Sequence, residues 1–300
     1  MSDDGSISRP RRVVLITGAS AGIGAALSRE LVRGGKARAL VLTARRGDRL
    51  EQLAGELRTI HEGIEVLTIA ADLADPSTPG RLVAQTIERF GGLDVLVNNA
   101  GLGLPTLFAG TEPEQLAGQI AVNFTAPLML TRLSLPSLIE RRGMIVNIGS
   151  AITCVPNSAL GAYGATKAGL AYWNDALRRE LDSKGVTVCL VEPGPIKTEF
   201  MDSVSSLVPS GGQPAAILDN AAPWMSADVE DVARRVARLL DHPRRRLSVL
   251  RRFVWTFRLL GVAARLCPPL GDRIVVWMQG EGQEPAEPSP TTSEDRRVTR

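Results

Sequence analysis

Histidine is nearly absent from this chain of 300 residues. Only His61 and His242 are present, too few for a His-rich metal site and leaving little room for a His-centred triad. Cysteine is almost as scarce. Cys154, Cys189 and Cys267 are odd in number and far apart, which argues against a disulfide framework or a Cys-based zinc site and for a reducing compartment. No metal is expected. No apolar run reaches the roughly 18 residues of a spanning helix. The polar segment 1–11 has no apolar stretch of the secretory kind and is expected to be a disordered lead. The 35 basic and 32 acidic residues leave a formal charge of +3, too balanced to indicate a nucleic-acid partner. What remains is ordinary for a globular chain: 44% hydrophobic and 22% charged residues, enough to build a sizeable core.

Short β-branched runs occur at 13–17, 39–43, 66–70, 95–98, 144–148 and 186–191. Segments of helical period separate them, at 23–34, 48–62, 80–90, 112–142 and 163–184. Strands apolar at every position, each followed by a helix, predict a parallel sheet buried on both faces. The expected fold class is therefore α/β, a doubly wound parallel sheet with helices on both faces and a C-terminal helical extension. One catalytic domain is expected over 12–242, followed by a basic apolar extension at 243–278. The segment 279–300 is polar and without aromatics, and is expected to be a disordered tail.

The first strand runs into Gly18-Ala19-Ser20-Ala21-Gly22-Ile23-Gly24 and then a helix. Glycines allow a sharp turn and close approach to a ligand, and the helix N-terminus offers free N–H groups to a pyrophosphate. A glycine loop alone is also compatible with a tight structural turn; the strand–loop–helix context favours a dinucleotide. At the end of the second strand Ala44 stands where an acid would accept from a ribose hydroxyl, and Arg45 and Arg46 follow. An acid would repel a 2′-phosphate, whereas arginine grips one. This predicts NADP(H), with Ser20 as an added donor; a solvated arginine pair is the alternative.

Further on come Asp72-Leu73, Asn98-Asn99-Ala100-Gly101, Asn123, Ser150, Tyr163-Gly164-Ala165-Thr166-Lys167 and Pro193-Gly194-Pro195-Ile196-Lys197-Thr198. In this order and spacing, over about residues 12–240, the chain resembles the short-chain dehydrogenase/reductase family in its roughly 250-residue form. The resemblance implies a Rossmann-like fold and hydride transfer between a nicotinamide and a carbonyl or secondary alcohol. Tyr163 and Lys167, four apart, share one helix face. An ammonium beside the phenol is expected to lower its pKa and make Tyr163 the proton donor or acceptor. Ser150, at the carboxyl edge of the sheet, is expected to hydrogen-bond the substrate oxygen.

By the resemblance, Lys167 also holds the nicotinamide ribose and Asn123 supports a proton-relaying water. Asp72, with Leu73 beside it, accepts from the adenine amino group. Asn98, Asn99, Ala100 and Gly101 pack at the adenine-ribose side, with a capped strand end as the alternative for Asn98 and Asn99. Pro193, Gly194, Ile196 and Thr198 form the turn over the nicotinamide. The family also implies a homo-oligomer through the helices at 112–142 and 163–184. The two histidines are expected to be solvated, Cys189 to be core, and Cys154 to be a buried spectator near the pocket.

The segment 203–226 occupies the place of the family's substrate lid, and its apolar residues suggest a lipophilic carbonyl or alcohol. At 249–266 the chain is mostly apolar, with Arg251, Arg258 and Arg265 at seven-residue intervals and Arg244-Arg245-Arg246 just before. On a helix those three arginines form one stripe. Such a helix could lie in a membrane interface with arginines at the headgroups, or pack on the core or a partner subunit. The expected location is cytoplasmic, with membrane association on the cytoplasmic face if the helix docks there. Two other readings stay open: a reductase of a small soluble carbonyl, and a non-catalytic nucleotide-binding regulatory protein.

Overall fold

The computed structural model describes residues 12–104, 106–154, 158–196, 227–269 and 273. The lead 1–11, Thr198, the lid 203–226 and the tail 279–300 lie outside the described residues. Among those described, seven strands form one sheet: β1 Arg12–Thr17, β2 Ala37–Ala44, β3 Glu65–Ala70, β4 Val95–Asn98, β5 Met144–Ile148, β6 Thr187–Glu192 and β7 Arg246–Ser248. Their order is β3-β2-β1-β4-β5-β6-β7, and every pairing is parallel.

The helices are α1 Gly22–Arg33, α2 Gly47–Ile60, α3 Thr78–Phe90, α4 Pro113–Ile120, α5 Ala126–Glu140, α6 Gly161–Leu181, α7 Val229–Leu239 and α8 Arg251–Leu266. Along β1, Val14 and Ile16 join a core with Leu27 and Leu31 of α1, Leu50 of α2 and Val232 of α7. Val13 and Leu15 point the other way, into a core with Leu82 of α3, Leu130 of α5 and Leu177 of α6. Two covered faces explain why every position of the strand from Val13 to Ile16 is apolar. Each fully buried leucine contributes roughly 2 kcal/mol. The winding reverses between β1 and β4, so the crevice outside the strands' carboxyl ends opens there.

Six strands fall within two residues of the sequence expectation. The stretch 112–142, expected as one helix, is instead α4 and α5 joined by a π-helical turn, Ala121–Thr125. Pro127, in the first turn of α5, lacks the N–H that an α-helix would direct to the carbonyl of Asn123, which favours a locally widened turn.

The sheet does not end at 242. Strand β7 lies within the expected extension, and a buried carboxylate accounts for it. Glu192 closes β6 at 1% exposure. It accepts from Arg246 Nη1 at 2.8 Å, Ser248 Oγ at 2.7 Å and Arg258 Nη2 at 2.8 and 2.7 Å. Arg246 also reaches Asp175 Oδ2 at 2.8 Å. Arg258 therefore turns to the core and is not part of an outward arginine stripe. The helix it belongs to rests on the 3-10 turn Ala151–Cys154, with Val254 fully buried against Ala151 and Cys154. At Gly261 a methyl group would overlap the Cys154 carbonyl, so only glycine permits this approach.

Arg258→Met should therefore destabilise the whole domain, by about 2 kcal/mol for a lost charged hydrogen bond to a buried acceptor. Urea unfolding followed by far-UV circular dichroism checks this. A change confined to fraying of α8, with an unaltered midpoint, would contradict it.

Candidate active site

Thr17, Ala44, Ala70, Asn98, Ile148 and Glu192 are the last residues of β1 to β6. The residues that follow them carry the glycine loop, Arg45-Arg46, Asp72-Leu73, Asn99-Ala100-Gly101, Ser150 and the turn from Pro193, so parallel pairing collects those motifs along one edge of the sheet. Asn123 and the Tyr163–Lys167 pair are brought there by the π-helical turn and α6. Gly18 has φ +66, and a methyl there would come within 2.9 Å of Ala100 Cα. At Gly24 the clash would be with the Gly18 carbonyl at 2.5 Å. The loop is thus pressed against the end of β4. Asn99 clamps it: its Nδ2 donates to the Thr17 and Gly18 carbonyls at 2.8 and 3.2 Å. Thr17 Oγ1 in turn accepts from the N–H groups of Asn99 and Ala100, both at 3.0 Å. The Asn99 amide therefore positions the loop instead of being spare for a ligand. Helix α1 begins after Ala21 with no side-chain cap and no acid in its first turn, a terminus suited to an anion. Ile23 packs on the core.

Beyond the loop, Arg46 Nη2 donates to Ser20 Oγ at 3.2 Å, so the two expected phosphate ligands already meet. Arg45 is exposed beside them. Asp72 is exposed, with Oδ1 accepting from Ala74 N–H at 2.9 Å, and Leu73 packs on the core behind it. The glycine cradle and the uncapped helix fit the pyrophosphate of a dinucleotide.

At the other half of the edge, the Ser150 hydroxyl hydrogen-bonds the Tyr163 phenol, across a turn fixed by Ile152 N–H donating to Ser150 Oγ at 3.2 Å. Burial pushes the phenol up to about 12, and the Ser150 bond only partly offsets this. The expectation that Lys167 lowers the phenol pKa is not met in the free protein. Lys167, at 3% exposure, lies 5.9 Å from the Tyr163 ring centre, donates to the Ile148 carbonyl at 2.9 Å, and is itself lowered to about 8 by burial. Desolvation here outweighs the pair attraction.

Asn123, fully buried in the π-turn, accepts from Leu102 N–H at 2.7 Å through Oδ1. Its Nδ2 donates to the Leu102 carbonyl at 2.8 Å and to Thr166 Oγ1 at 3.2 Å. Gly101 sits between Asn123 and Lys167, where a methyl would touch Asn123 Oδ1 at 3.7 Å and Lys167 Nζ at 3.6 Å.

The turn after β6 is tied in as well. The Pro193 carbonyl accepts from Ala151 N–H at 3.1 Å, Leu250 crowds Gly194, and Ile196 bridges to Ala227. His61 and His242 are exposed, and Cys189 is core, as expected. Cys154 is buried beneath α8, and that burial raises its thiol pKa.

Asn98, expected at the adenine-ribose side, is instead buried at 2% exposure. Two groups of residues went unnoticed in the sequence. One is the rest of a buried amide chain below the site: Asn98 Nδ2 donates to Asn147 Oδ1 at 2.8 Å, and Asn147 Nδ2 to Asn174 Oδ1 at 3.0 Å. The other is Glu192. A carboxamide or carboxylate ending an otherwise apolar strand was the available signal for both.

The family model described as short chain dehydrogenase matches residues 12–207. Serine 3-dehydrogenase of Rhizobium radiobacter is 37% identical over 204 residues, covering 68% of this chain and 77% of that protein. An Arabidopsis thaliana protein named 11-beta-hydroxysteroid dehydrogenase-like 2 is 37% identical over 190 residues, covering 63% of this chain and 60% of that one. A crystal structure of a short-chain dehydrogenase from Burkholderia cenocepacia in complex with NADP is 28% identical, covers 80% of this chain and 96% of that chain, and superposes with a TM-score of 0.69. The fold and site are those of a dinucleotide-dependent oxidoreductase. The chain belongs to the short-chain dehydrogenase/reductase family.

Because Lys167 is depressed from 10.5 to about 8, its ammonium is present below that pH and lost above it. The profile of kcat/KM for cofactor capture should fall as pH rises through about 8. In Lys167→Arg, which stays charged, that limb should disappear; an unchanged limb would refute the assignment. The sign for stability is opposite. The unfolded chain binds the extra proton between about 8 and 10.5, so this group's contribution to stability rises with pH there.

Proposed function

We propose that the protein is an NADPH-dependent reductase that, in the reverse direction, oxidises an alcohol. Tyr163 is the proton donor, Ser150 the substrate-oxygen anchor, and Lys167 the group that binds the nicotinamide ribose and stabilises the phenolate. The observation that carries this reading is the Ser150–Tyr163 hydrogen bond with Lys167 one helical turn on. When bound, the dinucleotide supplies or accepts the hydride at its nicotinamide ring. A substrate carbonyl oxygen entering between the two hydroxyls accepts from both. As negative charge develops on it, the phenol proton transfers to that oxygen, and the phenolate left behind faces the ammonium of Lys167. A phenol raised to about 12 is held in its acid form at neutral pH, which favours reduction. Asn123, gripping Leu102 and Thr166, keeps the loop after β4 and the start of α6 in register.

Ser20, Arg45 and Arg46 are proposed to take the 2′-phosphate. Ala44 supports this, since no acid at the end of β2 opposes it. Pro193, Gly194, Ile196 and Thr198 are proposed to cover the carboxamide side. The apolar residues of the 203–226 segment support a lipophilic carbonyl or alcohol. The 37% identity to serine 3-dehydrogenase favours a second reading, a small polar alcohol or carbonyl. Exposed Met129 and Leu133 on α5 and Tyr172 on α6 support self-assembly through those helices.

Tyr163→Phe should lower kcat for NADPH-linked carbonyl reduction by about 10² to 10⁴, with the cofactor dissociation constant little changed. A variant retaining most of its turnover would sink the assignment. Arg45→Ala/Arg46→Ala should weaken NADPH binding by about tenfold or more and leave NADH binding nearly unaltered. Equal losses for the two cofactors, measured by fluorescence titration, would remove the phosphate argument.

A further inference from the structure

The outward face of α8 is uncovered by any described residue. Trp255, Leu259, Val262 and Leu266 are 58%, 65%, 52% and 82% exposed. Their spacing of four, three and four puts them on one stripe about 16 Å long, opposite Val254 and Gly261, which face the core. Isolated apolar residues on a surface are ordinary, but a contiguous stripe of this length marks a contact surface. The charge on the helix itself is all of one sign. Arg251 and Arg252 are exposed and flank the stripe's first turn, and no Asp or Glu occurs from 243 to 271. The two arginines that do have carboxylate partners, Arg246 and Arg258, spend their charge on buried Glu192.

We propose that this face is a docking surface for a bilayer containing anionic phospholipid. The helix lies in the plane of the headgroups, with the stripe downward and Arg251 and Arg252 against lipid phosphates. A second copy of the chain fits less well. A self-complementary interface would bring more arginine and no acid to meet it, whereas an anionic headgroup layer supplies the missing charge. No helix among the described residues is long and apolar enough to cross a membrane, so the contact is peripheral. The opposite face of α8 rests on the turn Ala151–Cys154 that follows Ser150. A docked bilayer would therefore lie roughly one helix diameter, about 10 Å, from that turn. This surface is independent of the substrate assignment above.

The test is flotation of the full-length protein with vesicles of phosphatidylcholine alone and of phosphatidylcholine with phosphatidylglycerol. The protein should float only with the phosphatidylglycerol vesicles, and less as salt is raised. Trp255→Ser/Leu259→Ser and, separately, Arg251→Gln/Arg252→Gln should each reduce partitioning by about tenfold or more. The arginine pair is exposed and keeps the test decisive if the apolar pair fails to fold. A parent protein that stays at the bottom with anionic vesicles would overturn the proposal. So would a correctly folded apolar variant that floats like the parent, or one that dissociates from dimer to monomer in sedimentation, which would assign the face to a second copy.

Discussion

The hydrogen bond between the Ser150 hydroxyl and the Tyr163 phenol is the contact on which the rest of the site depends. The two residues come from different elements, the end of β5 and the start of α6, separated by the turn Ala151–Cys154. Their meeting therefore requires that turn to hold its shape. Its N-terminal side is held by Ala151 N–H on the Pro193 carbonyl, and its C-terminal side by α8 packed on Cys154. Burial then sets the chemistry. It keeps the phenol in its neutral, proton-donating form and pulls the lysine down to about 8, so the ammonium is present at neutral pH but is lost within the mildly alkaline range.

Glu192 extends this logic into the C-terminal part of the chain. A carboxylate at 1% exposure is costly unless paired, and its partners come from β7 and α8. The extension is thus bound to the residue immediately before the turn 193–196, instead of hanging from the domain. The consequence for the outer face of α8 is direct. With Arg258 drawn inward, the stripe of Trp255, Leu259, Val262 and Leu266 is what remains outside.

Much of this was legible in the residues. Six strands and the dinucleotide loop follow from apolar runs and glycine spacing, because a doubly covered parallel sheet leaves a strong local signature. Ser150, Tyr163 and Lys167 follow from order and spacing. What escaped was set by long-range partners. Strand β7 is three residues long and is tied to Glu192 through Arg246 and Ser248, a partner its own sequence does not reveal. The orientation of α8 could not be read from the seven-residue arginine interval, since a buried acid more than sixty positions away claims Arg258. The pKa expectation for Tyr163 failed for a similar reason: spacing reveals the neighbouring lysine but not the depth at which both are buried. Asn99, placed by motif beside the ligand, proved to hold the loop itself.

The central claim is that the Tyr163 phenol is the group whose proton the site controls. The chain has two tyrosines, so in Tyr172→Phe the tyrosinate absorbance reports Tyr163 alone. Spectrophotometric titration of that variant, free and saturated with NADP+, is the most direct measurement. The account predicts a phenol that resists ionisation past its ordinary range in the free protein and ionises at markedly lower pH once the positively charged nicotinamide is bound. A titration that ignores NADP+ would contradict it.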